Sequence, residues 1–237
     1  MPTLVLLRHG QSTWNLEKRF TGWADVDLTE RGEAEAARAG ELIKDANIAL
    51  DRCFASVLTR AIRTADLALS EAGQLWIPME KSWRLNERHY GGLTGRTHAE
   101  VAAEESPEQV LVWRRSYDVP PPPLTPGGAY DFANDRRYAG AAVPATESLK
   151  TTLERCLPYW WETIAPALER DETVLIAAHG NSLRAIVKHL FAVPNDVITG
   201  VEIPTGNPLL VALDGDLKPA KAHYLDESRA ERLPAAT

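Results

Sequence analysis

Two short apolar runs each lead into a histidine–glycine pair. Leu4–Leu7 is followed by Arg8-His9-Gly10, and Thr173–Ala177 is followed, past Ala178, by His179-Gly180-Asn181. A continuous apolar run of this length has no helical period and reads as a strand buried on both faces, the pattern of a parallel sheet. In such a sheet the carboxyl ends of the strands share one edge, where ligand crevices form. His9 and His179 are therefore expected to face one ligand across a few ångströms. The pair constrains the fold as strongly as it constrains the site.

The rest of the chain alternates strand and helix. An alanine- and glutamate-rich stretch from Thr29, a candidate N-cap, to about Lys44 places Ala36, Gly40 and Ile43 on one helical face. Cys53–Ser56 reads as a second strand, Thr59–Ser70 as a helix with Ile62, Leu67 and Leu69 inward, and Trp76–Met79 as a third strand. Glu147–Leu168 carries Leu149, Leu153, Leu157, Trp160, Ile164 and Leu168 at spacings of three and four, with Pro158 and Pro166 expected to kink or break it. A helix follows from about Ser182 to Phe191. Pro208–Leu213 and Ala222–Leu225 flank Asp214-Gly215, a hairpin signal. The expected fold is α/β in three layers, a mostly parallel central sheet with helices on both faces. Residues 1–225 should form a single domain with a loop insertion at about 117–145. Within it Val119–Tyr138, with its proline run Pro120–Pro123 and Gly127-Gly128, lacks any apolar period and suits a lid or an interface arm. Residues 226–237, charged and alanine-rich, are expected to be a mobile tail unless docked.

The 237 residues carry a formal net charge of -7, so nucleic acid and anionic membranes should be repelled, and any anionic ligand needs a local basic cluster. Cys53 and Cys156, the only two cysteines, lack the spacing of a zinc or redox motif and read as buried thiols in a reducing compartment. Leu4–Leu7 is too short for a signal peptide and no later stretch spans a bilayer, so a cytoplasmic location is expected.

Arg8, His9, Gly10, Ser12 and Asn15 supply a nitrogen nucleophile, a guanidinium, a glycine turn and two neutral hydrogen-bonding groups. A guanidinium holds two phosphate oxygens at once, and a neutral imidazole is a nucleophile near pH 7. These residues alone also allow a histidine that merely hydrogen-bonds to backbone. A metal site is disfavoured, because no carboxylate is clustered with either histidine and Arg8 would repel a cation.

The segments RHGQSTWN at Arg8–Asn15 and HGNSLRA at His179–Ala185 together resemble the histidine phosphatase superfamily. Further segments, FTGWADVDLTERG at Phe20–Gly32, LTRAIRTA at Leu58–Ala65, RLNERHYGGLTG at Arg84–Gly95, WRRSYD at Trp113–Asp118 and IPTGNPL at Ile203–Leu209, are similar to the cofactor-dependent phosphoglycerate mutases. The resemblance covers nearly the whole chain. It implies that His9 is the phosphorylated nucleophile, that Arg8, Arg60 and His179 surround the transferring group, and that Glu87 is the general acid and base. It implies phosphate hydrogen bonds from Ser12, Asn15, Thr21, Gly22, Gly180 and Asn181, and capture of the substrate's carboxylate and non-reacting phosphate by Tyr90, Arg114 and Arg115. A phosphoglycerate substrate, 2,3-bisphosphoglycerate as phosphoryl primer, no metal, and a homodimer or homotetramer follow as expectations. One position departs from the pattern. Where the family carries a substrate-binding lysine three residues past the last glycine, this chain has His98, preceded by Arg96 and Thr97. Two other readings compete: a hydrolase of the same superfamily acting on small phosphate esters, which needs neither cofactor nor Arg114 and Arg115, and a non-catalytic phospholigand-binding domain.

Overall fold

The computed structural model describes residues 1–233. Leu4, Val5, Leu6 and Leu7 are fully enclosed, as a strand covered on both faces requires, and form the middle of β1 (Thr3–Arg8). Enclosing each such side chain contributes about 1.5–3 kcal/mol. The other strands are β2 (Arg52–Ala55), β3 (Met79–Lys81), β4 (Thr173–Ala178), β5 (Leu209–Leu213) and β6 (Pro219–Tyr224). They form one six-stranded sheet in the order β3-β2-β4-β1-β5-β6. The first four run parallel, whereas β5 pairs antiparallel with β1 and β6 antiparallel with β5. The sheet is thus mostly parallel, as expected. Leu7 pairs with Ala177 and Arg8 with Ala178, and the His9 N–H donates to the Ala178 carbonyl at 3.0 Å. That register brings the two histidines to adjacent strand ends.

The helices are α1 (Thr13–Leu16), α2 (Glu30–Asp45), α3 (Thr59–Glu71), α4 (His98–Glu104), α5 (Pro107–Arg115), α6 (Leu149–Tyr159), α7 (Ala165–Glu169), α8 (Gly180–Leu190) and α9 (Asn195–Ile198). Alternation along β1 divides the core. Val5 and Leu7 join Ala39, Ile43, Ala65 and Ala68 of α2 and α3, while Leu4 and Leu6 join Ile164, Leu168, Leu183 and Val187 on the opposite face. Small residues let α2 and α3 approach closely: a Cβ at Gly40 would stand 2.2 Å from the Ala68 carbonyl oxygen. A third cluster, Phe20, Leu93, Val101, Val110 and Trp113, lies under α4 and α5 and roofs the site.

Several expectations need correction. Ile62 and Leu67 are only half-buried. The inward face of α3 is Arg60, Ala61, Thr64, Ala65, Ala68 and Leu69, because the tight α2–α3 contact admits alanine rather than branched chains. The third strand begins at Met79 instead of Trp76, whose side chain is exposed. The long helix is continuous through Pro158 but winds into a π-helical turn at Trp160–Ile164 before α7, the wide winding that accommodates ladder bonds disturbed by nearby prolines. Leu153 and Leu157 are half-buried, and Thr152, Arg155 and Cys156 turn inward instead. The hairpin loop is longer than its Asp214-Gly215 signal, with the Asp214 N–H donating to the Lys218 carbonyl.

The loop Val119–Tyr138 has one 3₁₀ turn, Arg136–Tyr138, and is held by both backbone and side-chain hydrogen bonds. The Gly92 N–H donates to Pro122 O at 2.8 Å, and the Tyr138 hydroxyl accepts from Asn86 Nδ2 at 3.0 Å. The C-terminal segment begins docked: Asn207 Nδ2 donates to the carbonyls of Asp226 and Arg229. Residues 234–237, the end of the expected mobile tail, lie outside the described residues. No helix among the described residues is long and apolar enough to cross a membrane.

Candidate active site

His9 is enclosed just past β1, and its Nδ1 lies 2.7 Å from the Gly10 carbonyl oxygen. A carbonyl only accepts, so Nδ1 carries the hydrogen and the lone pair is on Nε2. Burial first, then the charges of Arg60 and Arg8, push the His9 pKa well below 6.5, so the ring is neutral. His179 is the N-cap residue of α8, and its ring stands against His9 with 5.0 Å between centroids. Ser56 Oγ, fixed by the Leu58 N–H, holds His179 Nε2 at 2.7 Å. His179 is likewise driven well below 6.5 by burial and by Arg60.

Two arginines flank the rings. Arg8 Nη1 donates to Ile203 O at 2.8 Å, and Arg60 donates to the carbonyls of Ala24 and Gly22, both at 2.9 Å. Burial lowers Arg60 to about 10, which leaves it charged at neutral pH. Three enclosed polar atoms of this group have no partner: Arg8 Nε, Arg60 Nε and His179 Nδ1. Native proteins rarely leave buried polar atoms unsatisfied, since each costs about 1–3 kcal/mol. Unsatisfied atoms on two cations and an imidazole beside His9 suit an oxyanion such as a phosphoryl group.

Glu87 approaches from the segment after β3. Its Oε1 accepts from the Arg88 N–H at 2.8 Å and from the Asn181 N–H at 3.0 Å. Its carbonyl accepts from Trp23 Nε1 and Arg155 Nη2. Arg155 also forms a buried two-point pair with Glu147, at 2.6 and 2.9 Å, and donates to the carbonyls of Trp83, Arg84 and Asn86. The Glu147–Arg155 pair therefore fixes the backbone that presents Glu87.

These groups open on a cavity of about 530 Å³. Of the residues singled out from the sequence, Arg8, His9, Asn15, Thr21, Arg60, Glu87, Tyr90, His98, Arg114, Arg115, Gly180 and Asn181 line it. His179, Ser12 and Gly22 stand behind the wall. Ser12 and Asn15 cap each other across α1, and Gly22, at φ +52°, presents its carbonyl to Arg60. His98 opens α4 edge-on to Phe20 at 4.6 Å. Burial, then Arg114 and Lys18, lower its pKa to about 4, so at pH 7 it is uncharged.

Lys18, Arg19, Arg184 and Glu202 also line the cavity and were not assigned from the sequence. Arg184 had a legible signal: it lies one helical turn past Asn181, whose Oδ1 its Nη1 contacts at 2.9 Å. Lys18, Arg19 and Glu202 sit in irregular backbone with no period to point them inward. Burial raises Cys53 to about 12 and Cys156 to about 11, so both are inert thiols.

A neutral histidine with an available Nε2, backed by a second imidazole, the buried guanidinium of Arg60 and the half-buried one of Arg8, is an arrangement chemically suited to accepting a phosphoryl group. Residues 4–137 match the family model of the histidine phosphatase superfamily (branch 1), and the chain belongs to that superfamily. Relatives in Caulobacter sp. (strain K31), Hyphomonas neptunium and Zymomonas mobilis are 68%, 60% and 57% identical to it. The matches cover 99%, 99% and 96% of this chain and 99%, 99% and 100% of the relatives. Each is named 2,3-bisphosphoglycerate-dependent phosphoglycerate mutase, and within the superfamily the chain belongs to the family they form. Among solved structures, Bacillus stearothermophilus YhfR superposes with a TM-score of 0.69 at 26% identity, covering 94% of both chains. The mycobacterial glucosyl-3-phosphoglycerate phosphatase in complex with VO3 also gives 0.69 at 26% identity, covering 90% of this chain and 93% of its own.

Proposed function

We propose that this enzyme interconverts 3-phosphoglycerate and 2-phosphoglycerate through a phosphohistidine at His9 Nε2. The observation that carries the proposal is the fixed tautomer of His9 amid the unsatisfied Nε–H donors of Arg8 and Arg60, with the unpartnered Nδ1 of His179 beside them. Those donors would satisfy the charge of a phosphoryl group in flight. The primer 2,3-bisphosphoglycerate would supply the first phosphoryl group, held by the same cations. The substrate 2-hydroxyl oxygen then attacks phosphorus, the bond to His9 Nε2 breaks, and Glu87 accepts the hydroxyl proton. The 3-phosphoryl group next passes to His9, and Glu87 returns the proton to the freed 3-oxygen. Asn15, Thr21, Gly180 and Asn181 would bind phosphate oxygens, with Ser12 and Gly22 bracing Asn15 and Arg60. Tyr90, His98, Arg114 and Arg115 would hold the carboxylate and the non-reacting phosphate. The loop Val119–Tyr138 and the C-terminal segment would shield the bound bisphosphate from water. The reading includes a cytoplasmic homodimer or homotetramer that works without metal.

A mutase assay with and without added 2,3-bisphosphoglycerate tests this. Turnover that requires the bisphosphate, with label on His9 that His9→Ala abolishes, is the expected result. Release of inorganic phosphate from small esters with no isomerisation would favour a hydrolase, the activity named for the mycobacterial structural relative.

A further inference from the structure

Glu202 places a carboxylate in a cavity otherwise furnished for anions. It forms an ion pair with Arg115 Nη2, and its other oxygen lies 3.5 Å from Arg184 Nη2. The surrounding backbone is clamped, with Arg184 Nε donating to Val201 O at 2.7 Å and Arg8 Nη1 to Ile203 O at 2.8 Å. The carboxylate itself is held differently from the other two acids of the cavity. Glu87 accepts two backbone N–H groups, and Glu35 accepts the Gln11 N–H and pairs with Arg31. Glu202 accepts no backbone N–H among the described residues and is over a third exposed. Arg115, in turn, has no other ion pair or side-chain hydrogen bond among the described residues. Arg184 is independently secured by Val201 and Asn181.

We propose that Glu202 is a resident counter-anion for Arg115, displaced when a ligand phosphate or carboxylate binds, and that it sets the affinity and release rate of anionic ligands. The inference rests on the mutase reading only for the identity of the ligand. The chemistry is competition: one guanidinium fork is shared between an internal carboxylate and an incoming oxyanion. After displacement Glu202 remains beside the cavity and repels the bound anion, which hastens its departure. A pocket that collects this many cations would otherwise retain a bisphosphate for long times.

The sign of the effect separates this role from a structural one. Glu202→Gln keeps the size and an acceptor oxygen for Arg115 and removes the charge, while Glu202→Ala removes both. Under the proposal both variants lower the KM for 3-phosphoglycerate about three- to tenfold, as expected for deleting one partly screened charge next to the ligand. Release of 2,3-bisphosphoglycerate slows correspondingly. If Glu202 instead only orients Arg115, Glu202→Ala raises KM, and that result overturns the proposal, as does an unchanged value. Calorimetric binding of inorganic phosphate to the same three proteins decides the matter without turnover. Tighter binding by both variants supports the proposal even if the native enzyme shows no mutase activity, whereas equal or weaker binding refutes it.

Discussion

The His9 and His179 rings meet edge to face, their planes 61° apart, although they are far apart in the sequence. Both are uncharged for the same reason: burial and the flanking guanidinium groups disfavour a proton on either ring. Each arginine therefore helps to keep His9 neutral, and in the proposed reaction each would also present a donor to the transferring phosphoryl group.

A pH profile follows from this relationship. Because the His9 pKa is depressed, its Nε2 lone pair persists well below 6.5, the ordinary imidazole value. The rate at which His9 takes label from 2,3-bisphosphoglycerate should thus stay level as the pH falls through 6.5. A decline centred on that value would show an unperturbed imidazole.

Arg155 offers a test of positioning. Arg155→Met leaves Glu147 buried without its partner and frees four carbonyls in the segment that carries Glu87. Breaking such a pair should cost about 3–5 kcal/mol, read as a lower urea midpoint. In protein that remains folded, kcat should fall more than KM, because Glu87 loses its placement while Arg114 and Arg115 keep theirs.

His98 stands where the resemblance to the mutases leads one to expect a lysine, yet at pH 7 it is neutral. His98→Lys should restore a positive charge and lower the KM for 3-phosphoglycerate several-fold at pH 7. An unchanged or raised KM would show that the imidazole acts through its packing on Phe20 alone.

Acid stability is set by the same kind of group. Buried His89 is lowered to about 4 by burial, and its Nδ1 accepts from the Gly91 N–H, a bond that protonation destroys. Below 6.5 the unfolded chain takes up a proton that the folded chain refuses, so stability declines from about pH 6.5 and this contribution levels off near 4. The loss amounts to about 3 kcal/mol for this one group. Urea midpoints across that range should show it, and His89→Asn, which keeps an acceptor for Gly91, should flatten the slope.

Which of these residues could be read from the sequence depends on how each is positioned. His9 and His179 were legible because burial on both faces leaves an unbroken apolar run, and parallel pairing then dictates where its end lies. Glu87, Arg114 and Arg115 became candidates only through resemblance, since nothing in their local spacing distinguishes them from solvated charges. Hydrophobicity alone points Ile62 and Leu67 inward, yet both are only half-buried. The packing of α2 on α3 selects instead for small side chains, and the same buried face carries Arg60 to the edge of the sheet beside His9. Glu202 and Lys18 had no signal at all: irregular backbone, held by long-range hydrogen bonds, turns them into the cavity.

The place of β1 in the sheet has a consequence for biosynthesis. The first strand to leave the ribosome is flanked by β4 and β5, both made in the last third of the chain. Leu4–Leu7 must therefore wait, unpaired and apolar, through most of translation, and His9 has no neighbouring imidazole until His179 has emerged. Nascent chains stalled before β4 should be inactive and prone to associate through that waiting strand.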